Sequence, residues 1–236
     1  MYRSLDDKKI LETIRRLRDR VDERFPGSGL KNVASEFLMI AGRAVDGAEW
    51  IVRPNILLRL LVGMFLFMIA ALVVAIIMSL HVSVRVDRAT ELIQALESGI
   101  NDVIFLGIAV FFLVTLEARF KRRRALKVVH ELRSLAHIID MHQLTKDPEQ
   151  LLSPDKSTAS SPRRVMSRFE LSRYLSYCSE MLSLIGKLAA LLVRRFDDPV
   201  TLGAVDQIED LTTGLCGKIW QKINIINRVR EKAPAQ

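Results

Sequence analysis

The sequence has few of the residues that mark disulfide-bonded, β-rich or catalytic proteins. Only Cys178 and Cys216 are present, and their spacing fits neither a disulfide framework nor a metal-ligand motif. Aromatic residues make up 6% of the chain, and the alternation of β-branched residues typical of strands is absent. The 11 glycines are scattered and form no phosphate loop or dinucleotide fingerprint. We therefore predict an all-α protein that is not an enzyme and uses no cofactor.

Charge is absent from one long stretch, Leu60 to Val84, which contains no Asp, Glu, Lys or Arg. A helix needs about 20 mainly apolar residues to cross a hydrocarbon layer about 30 Å thick. A helix in a soluble core usually keeps one polar stripe, and none interrupts the run up to Met78. This pattern predicts an integral membrane protein with a transmembrane helix over about residues 56–80.

A second apolar stretch, Val103 to Leu116, has only 14 residues, a length that is also typical of a buried core helix. Six basic residues follow it closely, and such a cluster is typical of the cytoplasmic side of a membrane. They are Arg119, Lys121, Arg122, Arg123, Arg124 and Lys127. We predict a two-helix transmembrane hairpin over residues 55–120, with its second span at about 100–119. Both termini are then cytoplasmic.

Apolar residues at helical spacing predict further helices outside the membrane. The predicted parts are N-terminal helices over 1–54, a helical extension over 121–150, a polar linker over 151–164 and a helical hairpin over 165–236. The extension continues the second span without a break to about Leu144. In the N-terminal part, a stripe from Ile10 to Val21 packs either on the C-terminal helices or on another subunit. The apolar run Leu184 to Val193 contains Lys187 and is too short for a third span.

Asp102 and Glu117 bound the predicted second span, and three apolar residues lie between them on about the same side. Fifteen residues at 100° per residue leave the two acids about 60° apart around the helix. Acids at both mouths of a span can form charge rings that select cations in an oligomer. In the alternative, both carboxylates reach the headgroups or pair with Arg88 and Lys121. The candidate pore residues are Asp102, Leu106, Ala109, Leu113 and Glu117.

The basic run Arg119 to Lys127 is predicted to contact anionic lipid, at about 1 kcal/mol per basic residue near the surface. A nucleotide or a nucleic-acid strand is the alternative partner, and the net charge of +8 agrees with an acidic partner of either kind. Phe120 is the only aromatic residue in the run. Sequence-specific nucleic-acid binding is therefore not expected, because it needs several aromatic faces for stacking.

Histidines and acids cluster in the predicted helical extension. Among them, His130 and His137 are seven residues apart and share a helix face, yet the two-histidine zinc signature HExxH is absent. A metal site between subunits is one interpretation. We favour the other, a polar helix face with local ion pairs such as Arg133 with His137, and predict no metal. The cluster consists of His130, Glu131, Arg133, His137, Asp140 and His142.

A transmembrane hairpin followed by a cytoplasmic helix resembles the two-span membrane effectors of bacterial defence systems, the SLATT-type group in particular. The resemblance covers residues 55–143 as an arrangement, and no motif is shared residue by residue. It implies a homo-oligomeric pore, channel or membrane-disrupting effector of the bacterial inner membrane, acting in anti-phage defence. A nucleotide or a partner protein would gate it through the cytoplasmic helices. The alternative function is a membrane-anchored scaffold or binding subunit that recruits a soluble partner protein.

Overall fold

The structure is a computed structural model that describes residues 5–80, 89–146, 148, 166–194 and 196–232. The described residues form six helices and no strand, which confirms the all-α fold class. The predicted linker 151–164 and the proposed partner Arg88 lie outside the described residues. The helices are α1 Asp7–Arg24, α2 Gly29–Val52, α3 Ile56–Leu80, α4 Ala89–Leu144, α5 Arg168–Val193 and α6 Pro199–Lys232.

The chain divides into two compact units. The bundle unit combines Met1–Val52 with Arg124–Gln236, and the apolar unit is Arg53–Arg123. Helices α1, α2, α5 and α6 belong to the bundle unit and α3 to the apolar unit, whereas α4 contributes residues to both.

Helix α1 supplies one apolar stripe to the core of the bundle unit. The helix begins after Asp6, whose side chain accepts a hydrogen bond from the backbone N–H of Lys9 and so satisfies one free donor of the first turn. Its apolar residues recur at steps of three and four and are all buried, and α1 packs against α2 and α5. The stripe therefore packs on the chain's own helices. Its members are Ile10, Ile14, Leu17 and Val21.

Helix α5 is deeply buried in the bundle unit and packs against α1, α2 and α6. It starts with a capping box in which Ser167 and Glu170 satisfy each other's backbone N–H groups. Leu175, Met181 and Ile185 are fully buried. The extensive burial explains why this helix is apolar on more than one side.

The part of α4 beyond residue 123 contributes a second stripe to the same core. Its buried residues recur at helical steps, and α4 ends at Leu144, where the sequence pattern predicts. These residues are Ala125, Val129, Leu132, Ala136 and Ile139. A single helix thus carries the predicted second span and part of the bundle core.

Three helical stretches of the described chain are long and apolar enough to cross a membrane. They are Gly29–Ala75, which covers α2 and most of α3, Glu97–Leu144 within α4, and Arg168–Val193, which is α5. By length and composition α5 is thus a candidate beyond the two that the sequence predicts. It differs in packing, since 56% of its apolar window is buried inside the protein, against 0% for the other two windows.

Candidate functional site

Three donors surround the carboxylate of Glu117 in the apolar unit. Arg59 Nε lies 2.7 Å from Oε2, and Lys121 Nζ lies 2.9 Å from Oε1. The backbone N–H of Asn55 also donates to Oε1, at 3.3 Å. Arg59 and Asn55 belong to the start of α3, whereas Glu117 and Lys121 are one turn apart on α4. We call these four residues the Glu117 cluster.

Local sequence explains why the start of α3 presents donors to Glu117. Proline disfavours helical geometry in the residue before it, so Pro54 separates α2 from α3. The Asn55 side chain then accepts from the backbone N–H of Leu58 at 3.3 Å, which caps the first turn of α3. Backbone N–H groups ahead of a helix lack partners within the helix, and that of Asn55 is satisfied by the Glu117 carboxylate.

The Glu117 cluster is partly sheltered from solvent. The side chains of Glu117 and Lys121 are 17% and 11% exposed, whereas that of Arg59 is 63% exposed. The local pairing of Glu117 with Lys121, one alternative from the sequence, is present. The pairing with Arg59 was not predicted, although a signal for it exists. Arg59 is the only charged residue in α3, and Glu117 is the only acid between residues 103 and 130.

The five candidate pore residues do not share one environment. Asp102 and Ala109 are exposed, whereas Leu106, Leu113 and Glu117 are half-buried. On α3, half-buried side chains recur at steps of four, four and three, as expected for one helix face. They are Leu58, Val62, Leu66 and Ile69. The two half-buried stripes and the Arg59–Glu117 contact fit a face of α4 that packs against α3.

The residues of the basic run Arg119 to Lys127 differ in their burial and in their contacts. Lys121 is buried against Glu117, and Arg122 is half-buried. The guanidinium carbon of Arg119 lies 4.7 Å from the centroid of the Phe112 ring, and that of Arg124 lies 4.5 Å from that of Trp50. Cation–π contacts of this kind orient a guanidinium without neutralising it. The exposed members, which suit contact with anionic groups, are Arg119, Arg123, Arg124 and Lys127.

The charged residues of the histidine cluster tie α4 to neighbouring helices of the bundle unit. Glu131 pairs with Arg43 of α2 at 3.1 Å, and Arg133 donates to Gln207 of α6 at 2.7 Å rather than contacting His137. His130 and His137 are exposed. Within the ranges that the structure describes, no three His, Cys, Asp or Glu side chains are placed to hold a metal ion.

His142 lies close to the start of α2. A Cβ atom added at Gly29, the first residue of α2, would be 2.7 Å from His142 Cε1. Real Cβ atoms do not approach so closely, so the glycine permits this imidazole to pack on the start of α2. The contact is structural and fixes the end of α4 against α2.

The geometry of the Glu117 cluster suits joining two helices. Its carboxylate is oriented by three donors, two from the start of α3 and one from α4. No family model, no curated protein and no solved structure matches the chain. The likeness to two-span defence effectors is therefore a resemblance in arrangement alone.

Proposed function

We propose that this protein is a homo-oligomeric channel or pore-type effector of the bacterial inner membrane, gated through its bundle unit. In this proposal α3 and the apolar part of α4 cross the membrane as a hairpin, and both termini are cytoplasmic. Anti-phage defence is the setting that the resemblance implies. The observation that carries the proposal is that α4 belongs both to the apolar unit and to the core of the bundle unit.

A shared helix supports gating because it transmits displacement. Leu132, Ala136 and Ile139 of α4 are fully buried, so a rearrangement of the bundle core must move them. From Ile108 to Leu144 the helix contains neither glycine nor proline, the residues at which helices most often kink. A displacement of the buried end is therefore passed along α4 rather than absorbed by a bend.

The apolar surface of the apolar unit supports membrane insertion. Leu60, Phe67 and Phe105 are 66%, 76% and 71% exposed, and a soluble protein rarely leaves so much contiguous apolar surface open. By contrast, α5 buries most of its apolar window in the bundle, which favours two spans over three. Two helices cannot enclose water, so a channel requires several copies of the chain.

The two acids of the predicted span take different roles in this proposal. Asp102 is exposed and is available to form a charge ring at one mouth. Glu117 is held by Arg59 and Lys121, so its charge is balanced within the chain. We assign Glu117 the role of fastening α3 to α4 in the resting state.

The proposal is tested by the oligomeric mass in detergent and by currents across planar lipid bilayers. We expect a large homo-oligomer and a cation-selective conductance whose selectivity falls in Asp102→Asn. Asp210→Asn, an exposed acid on α6, is the matched control and leaves selectivity unchanged. A monomer that never conducts, alone or with the neighbouring gene products, would reject the channel.

Topology is tested by labelling single cysteines from either side of the membrane. Thr90→Cys and Ser160→Cys are introduced separately into a chain whose native Cys178 and Cys216 are changed to serine. The two-span hairpin requires residue 90 to react from outside and residue 160 from the cytoplasm. The opposite pattern, or a chain that stays soluble without detergent, would overturn membrane insertion as described.

A membrane-anchored scaffold is the second candidate function. The observation that favours it is a set of exposed apolar side chains on α6, namely Val200, Leu202 and Trp220. Leu202 and Trp220 lie at the same angle around the helix, and exposed apolar side chains on one helix face can bind a partner helix. Purification with the neighbouring gene products separates the two candidates. A monomer with one stoichiometric partner favours the scaffold, and a homo-oligomer without a partner favours the channel.

A further inference from the structure

A cavity of about 560 Å³ lies in the bundle unit, where α1 ends and α5 begins. Small-molecule sites commonly measure about 300–1,000 Å³, so the volume suits a ligand larger than a simple ion. Arginines from both helices and aromatic rings from α5 line it, including Arg20, Arg24, Phe169, Arg173 and Tyr177. The apolar unit contributes no lining residue.

The three arginines of the cavity differ in whether they have a carboxylate partner. Arg20 pairs with Glu180 at 2.7 Å. Among the described residues neither Arg24 nor Arg173 forms an ion pair, and the buried Nε of Arg173 has no hydrogen-bond partner there. A buried N–H of a charged group that lacks an acceptor is costly. That Nε has no accessible surface, so it is the terminal N–H groups of Arg24 and Arg173 that can face a ligand.

Aromatic rings hold the two unpaired guanidinium groups beside the cavity. The guanidinium carbon of Arg24 lies 5.3 Å from the centroid of the Phe169 ring, and that of Arg173 lies 5.6 Å from that of Tyr177. These contacts restrict the side chains without occupying their hydrogen-bond donors. Phe169 is 61% exposed, so its ring can also contact a ligand.

Two acidic residues also line the cavity, and their charges affect which ligands it can bind. Glu170 accepts a hydrogen bond from the backbone N–H of Ser167 at 2.7 Å, and this bond lowers the pKa of Glu170 from its usual value. Its carboxylate is thus engaged in the capping box of α5. Glu23 is exposed on α1. Arg24 also attracts the Glu170 carboxylate through space and lowers its pKa further, without an ion-pair contact between them.

We propose that this cavity binds a phosphate monoester of a small aromatic compound. The phosphate lies between Arg24 and Arg173, and the ring of the ligand lies beside Phe169. The planar guanidinium fork matches phosphate oxygens with two parallel N–H bonds. A soluble monoester and a phosphorylated lipid headgroup share this chemistry, so the experiment distinguishes them.

The test is calorimetric titration of the full chain in detergent with phenyl phosphate and with inorganic phosphate. We expect saturable binding of phenyl phosphate, weakened about tenfold in Arg24→Gln and in Arg173→Gln by the loss of one charged hydrogen-bonding group. Arg16→Gln is the matched control, because Arg16 is exposed on the same helix and pairs with Glu12. Equal loss in the control, or no saturable binding, overturns the proposal.

Two further measurements keep the test decisive. Phe169→Ala should lower affinity for phenyl phosphate to that for inorganic phosphate, and an unchanged preference would overturn the aromatic part of the proposal. If Arg173→Gln does not fold, the test depends on Arg24→Gln alone, because Arg24 is exposed. Binding seen only with detergent micelles that contain a phosphoinositide would overturn a soluble ligand. The cavity lies within the bundle unit, so these results stand whether or not the protein conducts ions.

Discussion

Arg59 holds the first turn of α3 to Glu117 of α4 through two contacts, 2.7 Å from Nε and 3.4 Å from Nη2. The fork of a guanidinium against a carboxylate fixes orientation as well as distance. Lys121 approaches the same carboxylate at 2.9 Å from its own helix. Glu117 therefore joins the two predicted spans, and its removal should weaken the packing between them.

Glu117→Ala should lower the free energy of unfolding in detergent by about 1–3 kcal/mol, the typical cost of leaving a sheltered charged donor without its acceptor. The sheltered amine of Lys121 is the donor left behind. Asp102→Ala, an exposed acid on the same helix, is the matched control and should change stability little. Thermal unfolding followed by circular dichroism gives the comparison, and equal melting temperatures for the two variants would contradict the fastening role.

Much of the fold follows from patterns within single helices, and those patterns were predictable. The stripe from Ile10 to Val21 and the end of α4 at Leu144 both rest on a period near 3.6 residues. Which residues meet across two helices depends on rotation and offset, and no single helix encodes these. For that reason the pairing of Lys121 with Glu117, one turn apart on α4, is among the sequence-based alternatives, whereas the contact of Arg59 with Glu117 across two helices is not.

The arginine-lined cavity was beyond the reach of sequence analysis for a related reason. Arg24 and Arg173 are separated by 149 positions and meet only because α1 packs on α5. In the sequence each is an ordinary basic residue on an amphipathic helix. The basic run after the second predicted span can be recognised in the sequence because its members are close together along the chain. A site assembled from distant helices leaves no comparable local signal.

Leu132→Ala should lower the free energy of unfolding by about 2–5 kcal/mol, the range for removing a fully buried leucine side chain from a packed core. Leu132 is 0% exposed, although the same helix carries the predicted second span. Met141→Ala is the control, because Met141 lies on α4 and is 68% exposed. Denaturant unfolding of the detergent-solubilised protein measures both. A small effect at Leu132 would mean that α4 is not part of the bundle core.

Lys222→Met should destabilise the end of α4 by about 1–2 kcal/mol, because a cation favours the carbonyl groups left free at a helix C-terminus. Lys222 Nζ donates to the backbone oxygen of Gln143 at 2.9 Å and to that of Lys146 at 3.4 Å. Lys218→Met, one turn earlier and exposed on α6, is the control. Faster amide hydrogen exchange over residues 140–146 in Lys222→Met alone is the expected result, and unchanged exchange would contradict the capping role.

Cys178 should resist thiol reagents in the folded protein, whereas Cys216 should react. Burial raises the pKa of the Cys178 thiol to about 12, so about one thiol in 10,000 is ionised at pH 8, and only the thiolate reacts. Cys216 is half-buried. Titration with Ellman's reagent at pH 8 should therefore detect one reactive thiol per chain in the native protein and a second one after denaturation. Cys216→Ser should abolish the first.

The same pKa shift makes stability depend on pH with a definite sign. An unfolded cysteine ionises near pH 8.5, so the stabilisation from keeping Cys178 protonated is complete below that pH. It declines as the pH rises from there towards the folded-state pKa of about 12. Unfolding of wild type and Cys178→Ala, compared at pH 8 and pH 10, should show the larger loss in wild type. Equal losses, or rapid labelling of both native thiols, would contradict the buried, neutral state of Cys178.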